Sequence, residues 1–159
     1  MLRSRISRAF TLIEVVVTSI LIAIVSAMAV MSYQWAINNA ADSSATQALQ
    51  AAALASATFY NQHTAWPTLT QLPNTESAYS YVSSTTASTG PEDISVGYDS
   101  TSGNLDLAAL DPTTNTCFFY AFPYPGSTAT PLRVSMTTVP CEAITILSNS
   151  LSSSSGPSW

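Results

Sequence analysis

Apolar residues run almost without interruption from Phe10 to about Trp35, and from Val15 to Ala41 the chain has no charged side chain. As helix, a run of this length is enough to cross a bilayer, which takes roughly 20 apolar residues. The pattern then changes. Ile37, Ala41, Ala45, Ala48, Leu49, Ala52, Ser56, Phe59 and Tyr60 recur at three- and four-residue steps, while Asn39, Asp42, Ser43, Thr46, Gln50 and Asn61 take the intervening positions. That is an amphipathic helical stripe. The first proline is Pro67 and the first glycine is Gly90, so no breaker stands in the way. The expectation is one helix from Phe10 to about Gln62, roughly 80 Å long at 1.5 Å per residue. Its first half is apolar all round, and its second half has one face for a partner. The Thr64-Ala65-Trp66-Pro67 stretch ends it, with Trp66 and Leu69 anchoring the exit.

Beyond Pro67 the period shortens. Residues 67–91 are rich in Ser, Thr and Pro and read as loop, with a short strand around Ala78–Val82. Asp93–Tyr98 alternates through Ile94, Val96 and Tyr98. A Gly-containing turn, residues 99–104, leads into a strand over 105–110, which is a hairpin signal. Cys117–Phe122 is the most apolar strand and carries aromatics on both faces, so it belongs in the centre. Leu132–Met136 follows, and Ala143–Leu147 reads as an edge strand. One long helix followed by about four antiparallel strands gives an α+β fold. The expected organisation is residues 1–9 as a leader, 10–35 as a membrane or assembly helix, 36–62 as its amphipathic continuation, 63–147 as the head, and 148–159 as a Ser-rich tail.

Charge adds a direction. Of four basic residues, Arg3, Arg5 and Arg8 precede the apolar run and only Arg133 follows it, against nine acids. Arginines ahead of a span hold the N-terminus in the cytoplasm, which places the head outside. An exterior with one basic side chain offers little to phosphate, so direct contact with nucleic acid is not expected. Cys117 and Cys141 both fall in that exterior, where a disulfide can persist. It would close a loop of about 25 residues, worth roughly 3–4 kcal/mol in the chain-entropy account. Two separate buried thiols are the other reading. Two cysteines are too few for a structural zinc site.

Glu14 is the anomaly of the apolar run. A carboxylate inside a span is costly and usually functional, with a partner to be named. The cationic candidates are Arg8 and, after a cut behind Ala9, the new α-amine of Phe10. At this point Phe10-Thr11-Leu12-Ile13-Glu14, following a short basic leader, resembles the class III signal of type IV pilins and pseudopilins. The resemblance implies cleavage between Ala9 and Phe10 by a membrane prepilin peptidase, methylation of the Phe10 amine, and a pairing role for Glu14 during filament assembly. It also implies a long helix packed on a small antiparallel sheet, self-assembly with identical or related subunits, and handling by inner-membrane pilus or secretion machinery. Two positions depart from the usual pattern: Ala9 stands where Gly is common before the cut, and Met31 where many such helices carry Pro.

Two other readings compete. An ordinary secreted protein would be cut after Ala29, at the A-x-A-like Ala27-Met28-Ala29, and begin at Val30. An uncleaved single-span protein would keep its leader and display a binding head. No enzyme is indicated. His63 is the single histidine and reads as a helix-end or packing residue. Asp93, Asp99, Asp106 and Asp111 lack EF-hand spacing and read as solvated loop acids. There is no Gly-rich phosphate loop, and no cofactor or metal is implied.

Overall fold

The computed structural model describes residues 10–137 and 140–144. The chain divides into two compact units, Met1–Ile37 and Asn38–Trp159. Helix α1 runs Leu12–His63. It ends where Thr64 turns into the left-handed region with φ of 56°, its N–H still donating to the Tyr60 carbonyl at 2.7 Å. A residue in that conformation closes many helices, although glycine is the usual choice. Pro67 then prevents any resumption.

In the second unit, the α1 positions Ala45, Ala48, Leu49, Ala52, Ser56 and Ala57 are buried. Their three- and four-residue steps are those of a single helix face. Small side chains let the sheet come close to this face. The sheet has five strands in the order β1 Ser80–Ser83, β2 Asp93–Tyr98, β3 Leu105–Asp111, β4 Thr116–Phe122 and β5 Leu132–Met136. A short helix, α2 Leu72–Thr75, precedes them, inside a stretch expected to be loop only.

Pairings β2–β3, β3–β4 and β4–β5 are antiparallel. The first pair is not: β1 and β2 are parallel, with Ser80 opposite Asp93. The sheet is thus mostly antiparallel, as expected, with one parallel pair at its edge. Hydrophobic alternation marks strands but carries no direction, and the return path here is short. Residues 84–92 complete it, whereas parallel crossovers usually need a dozen or more. In the described part of the expected Ala143–Leu147 strand, Ala143 lies in a turn and Ile144 is helical, so neither is strand; residues 145–147 lie outside the described residues, as does the tail 148–159.

Both faces of the sheet are covered. On the helix side, Leu49 and its alanine neighbours pack with Ile94, Leu105, Leu107 and Phe118. On the other side, Ala108, Cys117, Phe119, Cys141 and Ala143 form a second core, joined by Val134 and Met136. Alternation along β4 explains the division, since Phe118 and Tyr120 face one way and Cys117 and Phe119 the other. Trp66 and Leu69 pack on the helix-side core, and the Trp66 indole N–H donates to the Gly103 carbonyl at 2.9 Å. Gly103 has φ of +74°, and a Cβ there would sit 3.4 Å from the Tyr124 ring. The β2–β3 turn therefore favours glycine at this position. At the β3–β4 turn, the Thr114 hydroxyl lies 3.2 Å from Asp42 of α1 and 3.0 Å from Asp111.

The strand-embedded acids correct the reading of solvated loop residues. Asp106 is 2% exposed and Asp111 is fully buried. β3 is the middle strand of a sheet covered on both faces, so every position from Leu105 to Ala109 is buried whichever way it points.

Candidate functional site

The start of α1 is built around two side chains. Thr11 precedes the first helical residue and Glu14 is the third residue of the helix. The Thr11 backbone N–H donates to Glu14 Oε2 at 2.9 Å, and the Thr11 hydroxyl donates to the same oxygen at 3.0 Å. In return the Glu14 backbone N–H donates to Thr11 Oγ1 at 3.3 Å. This reciprocal arrangement is a capping box, which satisfies backbone donors that a helix start leaves without partners. The carboxylate at the helix N-terminus also meets the positive end of the helix dipole. Thr11 was not singled out by sequence reasoning, although a T-x-x-E spacing opening an apolar run is the signal that finds it.

Three further hydroxyls along this part of α1 bond back to their own helix. Thr18 donates to the Glu14 carbonyl at 2.8 Å, Ser19 to that of Val16 at 2.8 Å, and Ser32 to that of Met28 at 3.1 Å. Hydroxyls that bond back to their own helix can sit in surroundings that offer no other partner. The apolar side chains have no such cover: Leu12, Ile13, Val17, Ile20 and Val25 are all exposed, and Phe10 is 83% exposed. The helix is long and apolar enough to cross a membrane. Tyr33 and Trp35 close the apolar run, and both are exposed. Amphipathic rings at such a position suit a membrane–water boundary.

Of the residues singled out in the sequence, Ala9 lies outside the described residues. Phe10 stands immediately ahead of the Thr11 cap. Cys117 and Cys141 are joined by a disulfide with their Cα atoms 5.4 Å apart. His63 is exposed at the end of α1, its ring stacked on Phe59 at 4.1 Å between centroids. Its Nδ1 lies 3.1 Å from the Phe59 carbonyl. Among the described residues, no group of three or more His, Cys, Asp or Glu side chains is placed to hold a metal ion.

Residues 4–30 match the family described as the prokaryotic N-terminal methylation motif. The chain thus carries the class III signal peptide of type IV pilins and pseudopilins. The matched segment is a motif of type IV pilin-like, prepilin-peptidase-processed proteins, and the motif itself is structural rather than enzymatic. Membrane anchoring is consistent with the motif and with the apolar helix behind it. No curated protein and no solved structure matches the chain. The match covers the motif and leaves the head to be read from its own fold.

Proposed function

We propose that the protein is a structural subunit, a pilin or pseudopilin, of a type IV pilus-like filament. Prepilin peptidase cuts between Ala9 and Phe10, and the new Phe10 amine is methylated. The subunit waits in the membrane, with its head on the far side from the leader arginines. Assembly machinery at the inner membrane then extracts it into a bundle of like helices.

The observation that carries this reading is Glu14 in its methylation motif, at the head of an apolar helix with no cover of its own. An exposed apolar surface of this size needs lipid or other helices around it. A carboxylate there needs a partner, and the α-amine of a neighbouring subunit supplies one. A single buried pair of this kind sets register between helices, the best-attested use of a buried charge. Within the single chain the Thr11 donors engage the exposed carboxylate, and on assembly the neighbouring amine replaces them.

The test is the N-terminus of the mature protein, by intact mass and sequencing from membrane and shed fractions. A start at Phe10, heavier by one methyl group, is the expected result. A start at Val30 would overturn the proposal in favour of a secreted module. A retained leader would overturn it in favour of an anchored, uncleaved protein.

A further inference from the structure

The segment Cys141–Ile144 forms a strap on the sheet face that α1 leaves uncovered, and its contacts reach from β4 across β2 to the end of β1. At its start the disulfide ties it to β4 at Cys117. The Cys141 carbonyl accepts from the Ser88 N–H at 2.9 Å, and the Ile144 N–H donates to the Ser84 carbonyl at 3.1 Å. Between them the Ala143 N–H donates to Ser95 Oγ at 3.0 Å. The Ser95 hydroxyl, fully buried, donates onward to the Ser83 carbonyl of β1 at 3.1 Å. Ser88 makes a matching link on the other side, its hydroxyl accepting from the Leu110 N–H at 2.9 Å and donating to Gly90 at 3.0 Å.

These bonds explain how the parallel pair persists. β1 has four residues and lies at the sheet edge, and its connection to β2 is short for a parallel return. A strand of that length adds little by its own pairing. The Ser95 bridge and the Ile144–Ser84 bond supply the rest, while the Ser88 N–H fastens the β1–β2 connection to the strap. A cleft lined by Tyr79, Ser80, Thr89, Glu92 and Asp93 lies at the start of the same two strands.

We infer that Cys141–Ile144 is a disulfide-held strap that seats β1, with Ser95 as the positioning residue between them and Ser88 tying the strap to the β1–β2 connection. Cutting the disulfide frees the strap and releases β1 while the β2–β5 meander stays paired. The step is a two-electron exchange: a dithiol attacks the Cys117–Cys141 bond, both sulfurs leave as thiols, and the reductant ends as its own cyclic disulfide.

The experiment is hydrogen exchange read by mass spectrometry on the full chain in detergent micelles, oxidised and after prolonged treatment with dithiothreitol. Alkylation of both thiols confirms reduction, which is slow because both cysteines are fully buried. Peptides over residues 77–88 should exchange about tenfold faster or more after reduction, while peptides over 105–121 change less than about threefold. Unchanged exchange over 77–88 with both thiols free overturns the inference, and so does an equal rise in the two regions. Ser95→Ala in the oxidised protein should speed exchange over 79–84 by about fivefold, and Ser95→Thr should restore it. If Ser95→Ala leaves that peptide unchanged, the route through Ser95 is wrong.

Discussion

Thr11 and Glu14 hold each other. The threonine backbone N–H and hydroxyl both point at Oε2 of the carboxylate, at 2.9 and 3.0 Å, and the glutamate N–H returns to the threonine hydroxyl. The carboxylate that the filament reading assigns to a neighbouring amine is therefore engaged within its own helix. Removing the cap should loosen the first turn. For Thr11→Val a loss of about 1 kcal/mol is expected, read as roughly fivefold faster amide exchange over residues 12–15 in micelles, with Thr11→Ser near wild type. Equal protection in Thr11→Val would mean the cap contributes nothing.

Asp106 predicts an unusual pH dependence. It sits between Gly97 of β2 and Ala121 of β4, and its Oδ2 has no hydrogen-bond partner. Burial first, and then the charge of Asp99, pushes its carboxyl up from 3.8 to about 7. Between those values the folded protein keeps a proton that the unfolded chain has released. Its contribution to stability is therefore fully present below about 3.8 and is lost as pH rises through about 7. Asp106→Asn should raise the thermal midpoint at pH 8, on the order of 2 kcal/mol, and by much less at pH 4.5. A gain equal at both pH values would exclude titration as the cause.

The helix–sheet contact is closed by alanine, so enlarging it should harm the head. Ala52→Leu is expected to cost about 1–3 kcal/mol by overpacking. Leu54, two residues on and 69% exposed, should accept Ser within about 0.5 kcal/mol. Chemical denaturation of the two variants in micelles makes the comparison. If Ala52→Leu is neutral, the close approach of α1 to the sheet is wrong.

Cys117→Ser should lower the thermal midpoint of the oxidised protein by a few kcal/mol of stability, of the order of 2–4. Adding reductant to that variant should then change nothing further. A midpoint equal to wild type would mean the bridge is not holding the head.

Much of this was legible in the sequence because the strongest signals are periodic. The absence of Pro and Gly before residue 67 and the stripe through Ala45, Leu49 and Ala52 specify α1 closely. The strands over 93–98, 105–111, 116–122 and 132–136 follow from alternation and turn residues. What was not legible depends on long-range geometry. The parallel pairing of β1 is accompanied by a bond from the Ser95 hydroxyl to Ser83 and by contacts to a segment about 50 residues further along, neither of which alternation can signal. The burial of Asp106 depends on which strand becomes central, and a lone aspartate in a strand gives no hint of that. At the N-terminal site the carboxylate stood out against its apolar surroundings. Thr11 did not, because a threonine at the edge of an apolar run is unremarkable until the spacing to Glu14 is read as a cap.

The two-sided β4 has a consequence in time. A chain delivered from its N-terminus presents α1 first, then β1 through β5, and Cys141 only afterwards. The helix-side face of the meander finds its cover as soon as it pairs. The opposite face, with Ala108, Phe119, Val134 and Met136, has none until the residues after β5 arrive and oxidation joins them to Cys117. In that interval the head is an apolar sheet open on one side, so the rate at which the cysteine pair is oxidised also sets how long that window lasts.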